Sequence, residues 1–311
     1  MEKGQEKMRF ITNVFLVTGI MIGLPVLFYL IFHGTNLDRL PDIHEVDSGY
    51  VITREGEHDL DEYLLGVLPA QIDLESEYAA IKAQAVIART SILRQMNGKK
   101  KINGDSLEET YISQKKLKEQ IGEKEYTKKY QILTKAILET RGIAMQSEGE
   151  YILPLYHEVS IGSTISAKEM YGTEISYLKA ADSSMDVESP DYMEVEEWEY
   201  EDAMHLIEKE YPQTSIHSSD LEEKIKILSK SSSGYVKKLK VADLSLTGEK
   251  WKQIFGLNST NFYIEDYQHR MRIVTLGKGH GLGLSLYGAN ELAKQGMQYK
   301  KILEHYYHHI I

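Results

Sequence analysis

An uninterrupted apolar run over residues 10–32 constrains this chain more than any other feature, because it contains no charged side chain. A helix of that length extends about 34 Å, enough to cross the hydrocarbon core of a bilayer. Lys3, Lys7 and Arg9 precede the run, and a basic flank of this kind favours a cytoplasmic N-terminus. We therefore expect a single-pass protein of the cell membrane with four parts. They are a cytoplasmic tip (1–9), a transmembrane anchor (10–32), a linker (33–49) and an extracytoplasmic domain (50–311).

A cleaved signal peptide and a buried core helix are the alternatives for this run. A signal peptide has a shorter apolar stretch and a cleavage site flanked by small residues. The run ends in Leu30-Ile31-Phe32-His33, which offers no such site. An uncleaved anchor is therefore the preferred interpretation.

Composition excludes several functional classes. The 47 acidic side chains exceed the 36 basic ones and give a net charge of −11, which is unfavourable for general nucleic-acid binding. The chain contains no cysteine, so disulfides, thiolate zinc sites, iron–sulfur clusters and a cysteine nucleophile are excluded. We expect no metal and no cofactor.

The patterning beyond the linker predicts an α+β fold, because helices and strands are mixed without strict βαβ alternation. Residues 186–210 contain eleven acids and one lysine, which suggests either a mobile lid or a solvated helix. The predicted helices are 60–68, 74–94 after a cap at Asp73, 126–141, 285–294 and 299–308. The predicted strands are 50–53, 143–145, 151–156, 225–228, 236–241, 262–265 and 270–274.

Two polar clusters could carry chemistry. The first is a glycine run, residues 277–283, in which alternate glycines allow close backbone approach and His280 lies between two of them. The second contains His157, Ser160 and Thr164 at the end of a predicted strand. A serine hydrolase site built from Ser160 or Ser285 is an alternative, although neither serine has a nucleophile-elbow sequence around it.

Other side chains have simpler interpretations. His305 and His309 share a helix face and could bind a metal, but a frayed helix end also explains them. Glu75 and Glu77 precede an alanine-rich helix, where the helix dipole accounts for acids.

Three sequence blocks together resemble the SpoIID/LytB family of membrane-anchored peptidoglycan lytic transglycosylases. The resemblance covers roughly residues 50–307, and the third block is long and specific. The blocks are residues 65–68 with 79–90, which contain Lys-Ala-Gln-Ala-Val-Ile-Ala-Arg-Thr; residues 156–167 with 177–183; and residues 279–289 with 302–307.

The resemblance implies cleavage between N-acetylmuramic acid and N-acetylglucosamine without water, leaving a 1,6-anhydro end. One carboxyl group serves as acid and then as base in that reaction. The family's catalytic glutamate aligns with position 71, which is Gln71 in this chain. An amide has no proton to donate near neutral pH, so lytic activity is in doubt. The candidate substitutes are Asp73, Glu75, Glu77 and Glu158.

The resemblance further implies a groove that binds peptide-denuded glycan strands, with a cell-wall amidase and septal membrane proteins as partners. Three hypotheses stay open, namely an active enzyme with a relocated carboxylate, a glycan-binding member without activity, and a scaffold for the amidase. The substrate-binding residues carried over from the family blocks are Lys82, Gln84, Arg89, His157, Ser160, Thr164, His280, Ser285 and Tyr287.

Overall fold

A computed structural model describes residues 49–213 and 217–310 of the chain. The predicted tip, the predicted anchor and almost all of the predicted linker lie outside the described residues. Within the described residues, no helix is both long and apolar enough to cross a membrane. Helices alternate irregularly with small sheets, so the predicted α+β class is confirmed for the described part.

The first half of the described chain is mainly helical and the second half carries most of the strands. The helices are α1 (Leu60–Gln71), α2 (Tyr78–Met96), α3 (Gln114–Ile121), α4 (Glu123–Glu139), α5 (Ala167–Tyr171), α6 (Tyr200–Glu210), α7 (Ser218–Lys224), α8 (Gly248–Phe255), α9 (Leu286–Lys294) and α10 (Tyr299–Tyr306). The strands are β1 (Tyr50–Thr53), β2 (Gly56–Asp59), β3 (Lys101–Asn103), β4 (Gln146–Ser147), β5 (Glu150–Tyr151), β6 (Tyr156–His157), β7 (Met193–Trp198), β8 (Ile225–Lys230), β9 (Val236–Val241), β10 (Leu244–Thr247), β11 (Phe262–Tyr267), β12 (Arg270–Leu276) and β13 (Leu284–Ser285).

The strands form several small sheets. Three have three strands each, in the orders β2-β1-β3, β10-β9-β8 and β11-β12-β7, and β4 pairs with β5. Strand β6 pairs in parallel with β13, with Tyr156 opposite Leu284 and His157 opposite Ser285. This short pairing matters most for function, because it joins the second and third sequence blocks.

Helix α2 is the central element of the helical half. Many of its side chains are small and apolar, so the helix can pack against neighbours on two sides. Ile81, Ala85 and Ile92 join one core with α1 and α4, while Val86 and Ile87 join another with α9 and α10. Most of this helix is therefore buried. A separate core around Trp251 fills the strand-rich half.

The start of α2 differs from the prediction. Asp73 does not cap it, because the Asp73 carboxylate accepts a hydrogen bond from the Glu75 backbone N–H at 2.9 Å in a local turn. The helix begins at Tyr78 and its N-cap residue is Glu77. Residues 72–77 therefore form a loop between α1 and α2, which we call the α1–α2 loop.

Two predicted strands were misplaced. Residues 143–145 are not a strand; strands β4 and β5 flank a turn in which Glu148 and Gly149 have positive φ. The predicted strand over 151–156 is broken, because Pro154 has no N–H for a ladder hydrogen bond.

The acidic segment 186–210 is not one helix. Residues 193–198 form β7, which pairs with β12, and α6 follows. Exposure alternates along β7, with Met193 and Val195 more exposed than the glutamates that follow each of them. The high acid content of the segment obscured this two-residue period.

Candidate functional site

A groove of about 810 Å³ lies where the three sequence blocks meet. The end of α1, the segment after β6, the glycine run and the start of α9 supply its walls. Its lining residues are Pro69, Ala70, Gln71, Ile72, Asp73, Ser76, Tyr156, His157, Glu158, Val159, Ser189, Pro190, Asp191, Gly279, His280, Leu286, Tyr287 and Asn290. The structure therefore brings together six of the predicted residues: Gln71, Asp73, His157, Glu158, His280 and Tyr287.

Gln71 is the last residue of α1, and a side chain of α2 hydrogen-bonds to it. Its Oε1 accepts a hydrogen bond of 2.9 Å from Nε2 of Gln84, which is only 1% exposed. In the described part of the chain, the Gln71 amide nitrogen makes no hydrogen bond within the protein. Gln71 thus offers the groove an N–H donor and no acid. Gln84 supports this residue and does not itself line the groove.

The glycine run brings its backbone against the β6 strand. A Cβ on Gly283 would lie 1.8 Å from the Leu155 carbonyl oxygen, and its φ is +71°. A Cβ on Gly279 would lie 2.7 Å from the His157 Cβ, at a φ of +107°. Only glycine fits at these positions, so the predicted close backbone approach is confirmed.

The two histidines of the groove lie side by side, with ring centroids 5.8 Å apart. His157 Nδ1 donates to the Leu282 carbonyl at 3.1 Å, and His280 Nδ1 accepts from the Leu282 N–H at 3.0 Å. One residue of the glycine run therefore fixes both rings. His157 Nε2 is buried and has no hydrogen-bond partner among the described residues, which leaves it as an acceptor.

Both imidazoles are neutral at physiological pH. Burial lowers the pKa of His157 to about 3, and the neighbouring His280 contributes. Burial also lowers the pKa of His280 to about 4, with a further contribution from the positive charge of Lys252. Neither ring is therefore a general acid near neutral pH.

The groove also contains three carboxylates. Glu158 pairs with Lys278 at 2.5 Å, and Asp191 lies 3.6 Å from the same ammonium. This hydrogen bond to Glu158 is the main reason why the pKa of Lys278 is raised. Asp73 is exposed and has no ion pair within the described part of the chain, while its Oδ1 closes the turn with Glu75.

Three predicted residues lie outside the groove: Glu75 and Glu77 in the α1–α2 loop, and Lys82 on α2. Glu75 pairs with the buried Lys129 of α4, and Glu77 donates its backbone N–H to the Asn290 side chain at 2.7 Å. Lys82 pairs with Glu139 at 2.9 Å. None of these side chains lines the groove.

Four further predicted residues are fully or almost fully buried and serve the framework. Arg89 pairs with Asp61, Ser160 Oγ accepts the Gly162 N–H at 3.3 Å, and Thr164 Oγ1 accepts the Ala181 N–H at 2.9 Å. Ser285 Oγ caps α9 by accepting the Gly288 N–H at 3.2 Å. Neither serine meets a histidine in the groove, so the structure gives no support to the serine hydrolase alternative.

The remaining metal alternative also receives no support. His305 Nε2 lies 2.6 Å from the Asp182 carbonyl oxygen. Among the described residues, no group of three or more histidine or acidic side chains is arranged to hold a metal ion.

Sequence reasoning missed several groove residues. Asp191 and Ser189 come from the acidic segment, which was predicted as a mobile lid or a solvated helix and was not assigned any binding residue. Asp186 of that segment is fully buried, and its carboxylate accepts the Ser160 N–H at 2.6 Å. Asn290 lies one helical turn after Tyr287, and that spacing could have identified it.

The chain is similar to several known proteins. Residues 51–146 match the SpoIID family, described as stage II sporulation protein. The chain is 28% identical over 256 residues to the stage II sporulation proteins D of Bacillus amyloliquefaciens and Bacillus subtilis (strain 168), covering 80% of this chain and 72% of each relative. It is 23% identical to the amidase enhancer of Bacillus subtilis, of which 39% is covered. The expected resemblance is confirmed: residues 51–146 match the SpoIID family model, and the chain is similar to stage II sporulation protein D along most of its length.

Proposed function

We propose that this chain is a sporulation-related cell-wall protein whose groove binds peptidoglycan glycan strands without cleaving them. Its relatives support the general role in sporulation and the cell wall. The finer proposal rests on the contents of the groove. One observation carries it: position 71 holds an amide whose oxygen is already bound by Gln84.

The groove suits a sugar chain because it combines polar groups with aromatic surface. Gln71 supplies an N–H donor, the exposed Asp73 supplies carboxylate acceptors, and Tyr156 and Tyr287 supply ring faces. Sugar rings carry hydroxyl and acetamido groups that need both donors and acceptors, while their C–H faces pack against aromatic rings.

Cleavage without water needs a group that gives a proton and then accepts one. Loss of general acid–base help typically costs about 10²–10⁴-fold in rate. Gln71 cannot provide that help, and the neutral histidines hold no proton for donation at neutral pH. The groove therefore retains the means of binding while lacking an acid at the position where the family has one.

An active enzyme with a relocated carboxylate is the second candidate. Only Asp73 and Glu158 of the four predicted substitutes line the groove. Glu158 is bound to Lys278, which leaves Asp73 as the more available acid. Glu75 and Glu77 belong to the same loop as Asp73 but do not line the groove.

We also propose that residues 10–32 anchor the protein in the cell membrane, with the groove outside the cytoplasm. An amidase partner is proposed from the similarity to the amidase enhancer. If the chain is only a scaffold, mutation of His280 leaves amidase binding intact and wall retention unchanged. If it is a glycan binder, the same mutation reduces wall retention.

The test uses the full-length chain in detergent micelles with peptide-free glycan strands. Binding is measured by co-sedimentation, and products are examined by mass spectrometry for 1,6-anhydro ends. We expect binding without anhydro products from the natural chain, and anhydro products from Gln71→Glu. The same substitution at an exposed position of α4, Gln131→Glu, is the matched control and should change nothing.

Anhydro products from the natural chain would contradict the non-cleaving proposal. Asp73→Asn and Glu158→Gln would then identify the relocated acid. Failure of the natural chain to bind any glycan would overturn the glycan proposal and favour the scaffold.

A further inference from the structure

A second concavity of about 400 Å³ lies on the far side of the α1–α2 loop from the groove. Three lysines of α4, Lys128, Lys129 and Lys135, line it together with Tyr78, Ile81 and Ser76. We call it the lysine pocket. Ser76 also lines the groove, so the two concavities meet at this residue.

The two concavities differ in charge. Three carboxylates and no lysine or arginine line the groove, whereas the three lysines of the pocket face only Glu75 and Glu77. Residues 114–139 carry seven lysines and four glutamates, in a chain whose net charge is −11. The lysine pocket is therefore part of a local positive surface on an acidic protein.

The three lysines have different roles. Lys129 is 6% exposed, donates to the Leu74 carbonyl at 2.8 Å and pairs with Glu75, so it holds the α1–α2 loop in place. Lys135 is exposed, and its nearest carboxylate, Glu139 at 3.8 Å, is bound more closely by Lys82. Lys128 is exposed and has no ion pair within the described residues. Two ammonium groups are thus available to a ligand.

We propose that the lysine pocket binds carboxylate groups carried by the sugar chain that occupies the groove. This inference rests on the proposed function. When stem peptides have been removed, each muramyl residue of the glycan keeps a lactyl carboxylate, so the strand is a polyanion. In the groove Lys278 is engaged by Glu158 and Asp191, and no lysine or arginine is among the lining residues, whereas Lys128 and Lys135 attract those groups from beside Ser76.

The surroundings of the two lysines suit such a substituent. Lys135 lies 5.5 Å from the centre of the Tyr78 ring, which forms an apolar wall with Ile81 and Ile132. A lactyl group has a methyl beside its carboxylate, and the wall can contact that methyl while an ammonium binds the charge. The charge interaction is solvent-exposed, so it should weaken as salt screens it.

The test compares two ligands on the full-length chain in detergent micelles. One is peptide-free glycan, and the other is the same glycan with its carboxyl groups converted to amides by a carbodiimide and ammonia. The variant Lys128→Gln/Lys135→Gln is compared with Lys116→Gln/Lys300→Gln, which changes two exposed lysines of α3 and α10 that line neither concavity. Dissociation constants are measured at 50 and 200 mM salt.

We expect the natural chain to bind the acidic glycan about 5–10-fold more tightly than the amidated glycan at low salt, as two exposed charge contacts allow. The pocket variant should lose this preference and keep its affinity for the amidated glycan, and the control variant should behave like the natural chain.

Equal binding of both glycans by the natural chain would overturn the inference and leave the proposed function standing. A loss of affinity in the control variant equal to that in the pocket variant would also overturn the inference. Binding of neither glycan would overturn the proposed function and this inference with it.

Discussion

Two buried polar side chains on α2 lie five residues apart and differ sharply in how completely they are satisfied. Arg89 is 0% exposed and donates to Asp61 at 2.9 and 3.1 Å and to the carbonyls of Thr140, Ile137 and Ile143. Gln84 is 1% exposed and makes one hydrogen bond, to Gln71, while its own Oε1 has no partner within the described residues.

This difference indicates that Arg89 stabilises the framework, whereas Gln84 supports the functional site. A buried charge is tolerated only when it is paired and hydrogen-bonded, and Arg89 meets that requirement by joining α1, α2 and the end of α4. A half-satisfied amide such as Gln84 is kept at a cost to stability, which is typical of residues that orient a functional group. Both belong to the same sequence block, so membership of the block does not distinguish the two roles.

The largest effect on stability should come from substitution of Arg89, whose guanidinium group is fully hydrogen-bonded. Arg89→Met leaves Asp61 buried without its main partner, and we expect the free energy of unfolding to fall by about 3–5 kcal/mol. Urea unfolding followed by circular dichroism measures this. Arg141→Met is the matched control, because Arg141 also pairs with Asp61, at 2.8 Å, but its side chain is 22% exposed. A loss as small as that of the control would refute the framework role of Arg89.

Substitution in the glycine run should come next, because the groove wall depends on it. Gly283→Ala forces a Cβ against the Leu155 carbonyl in a left-handed conformation, and we expect a loss of about 2–4 kcal/mol in unfolding free energy. Gly296 also has a positive φ, of +89°, but has open space around it, so Gly296→Ala isolates the conformational part at about 1 kcal/mol. Equal losses would show that the close approach to Leu155 does not matter.

Acid should weaken the fold through the groove histidines. Histidine in the unfolded chain titrates near pH 6.5, whereas burial keeps the pKa of His157 at about 3 and that of His280 at about 4. Between those limits the unfolded chain binds more protons, so stability falls as pH falls. We expect a loss of about 1 kcal/mol for each histidine between pH 6.5 and pH 5.5.

The check is urea unfolding at pH 7.5, 6.5 and 5.5, with His157→Gln/His280→Gln as the comparison. Between pH 6.5 and pH 5.5, the unfolding free energy of the double variant should fall by about 2 kcal/mol less than that of the natural chain. An unchanged slope would place the pH dependence elsewhere in the chain.

The smallest effect on stability should come from substitution of Gln84, whose side chain makes only one hydrogen bond among the described residues. Gln84→Met removes the donor that orients Gln71 and also removes the unpaired Oε1, so the free energy of unfolding should change by less than about 1 kcal/mol. Glycan affinity should fall about 5–10-fold, because Gln71 loses its fixed orientation. Gln95→Met is the control on the same helix, where Gln95 donates to Glu109 at 2.9 Å away from the groove. A large loss of stability without loss of affinity would make Gln84 a framework residue like Arg89.

Local patterns predicted much of the fold. Strand β1 and the start of helix α1 were placed correctly because each depends on residues close in sequence. The start of α2 was missed, since a local turn at Asp73 resembles a helix cap. Strand β7 was missed because its pairing with β12 is a contact across about eighty residues, which no local pattern records.

The site was predicted less completely than the fold. The three blocks identified Gln71, His157, His280 and Tyr287, which the structure brings to one groove. Matching by blocks could not separate residues that face the groove from those that support it.

The sequence by itself determined the composition of the site: an amide at position 71, no cysteine anywhere, and glycines where the backbone must pass close to β6. Tertiary structure alone decided the direction and partners of each side chain. It turned the Gln71 oxygen toward Gln84, bound Glu158 to Lys278, and separated an acidic groove from a lysine pocket across one short loop. The physical reason is that hydrogen bonds, desolvation and charge pairing depend on distances of a few ångströms between residues far apart in the chain, which the order of residues does not specify.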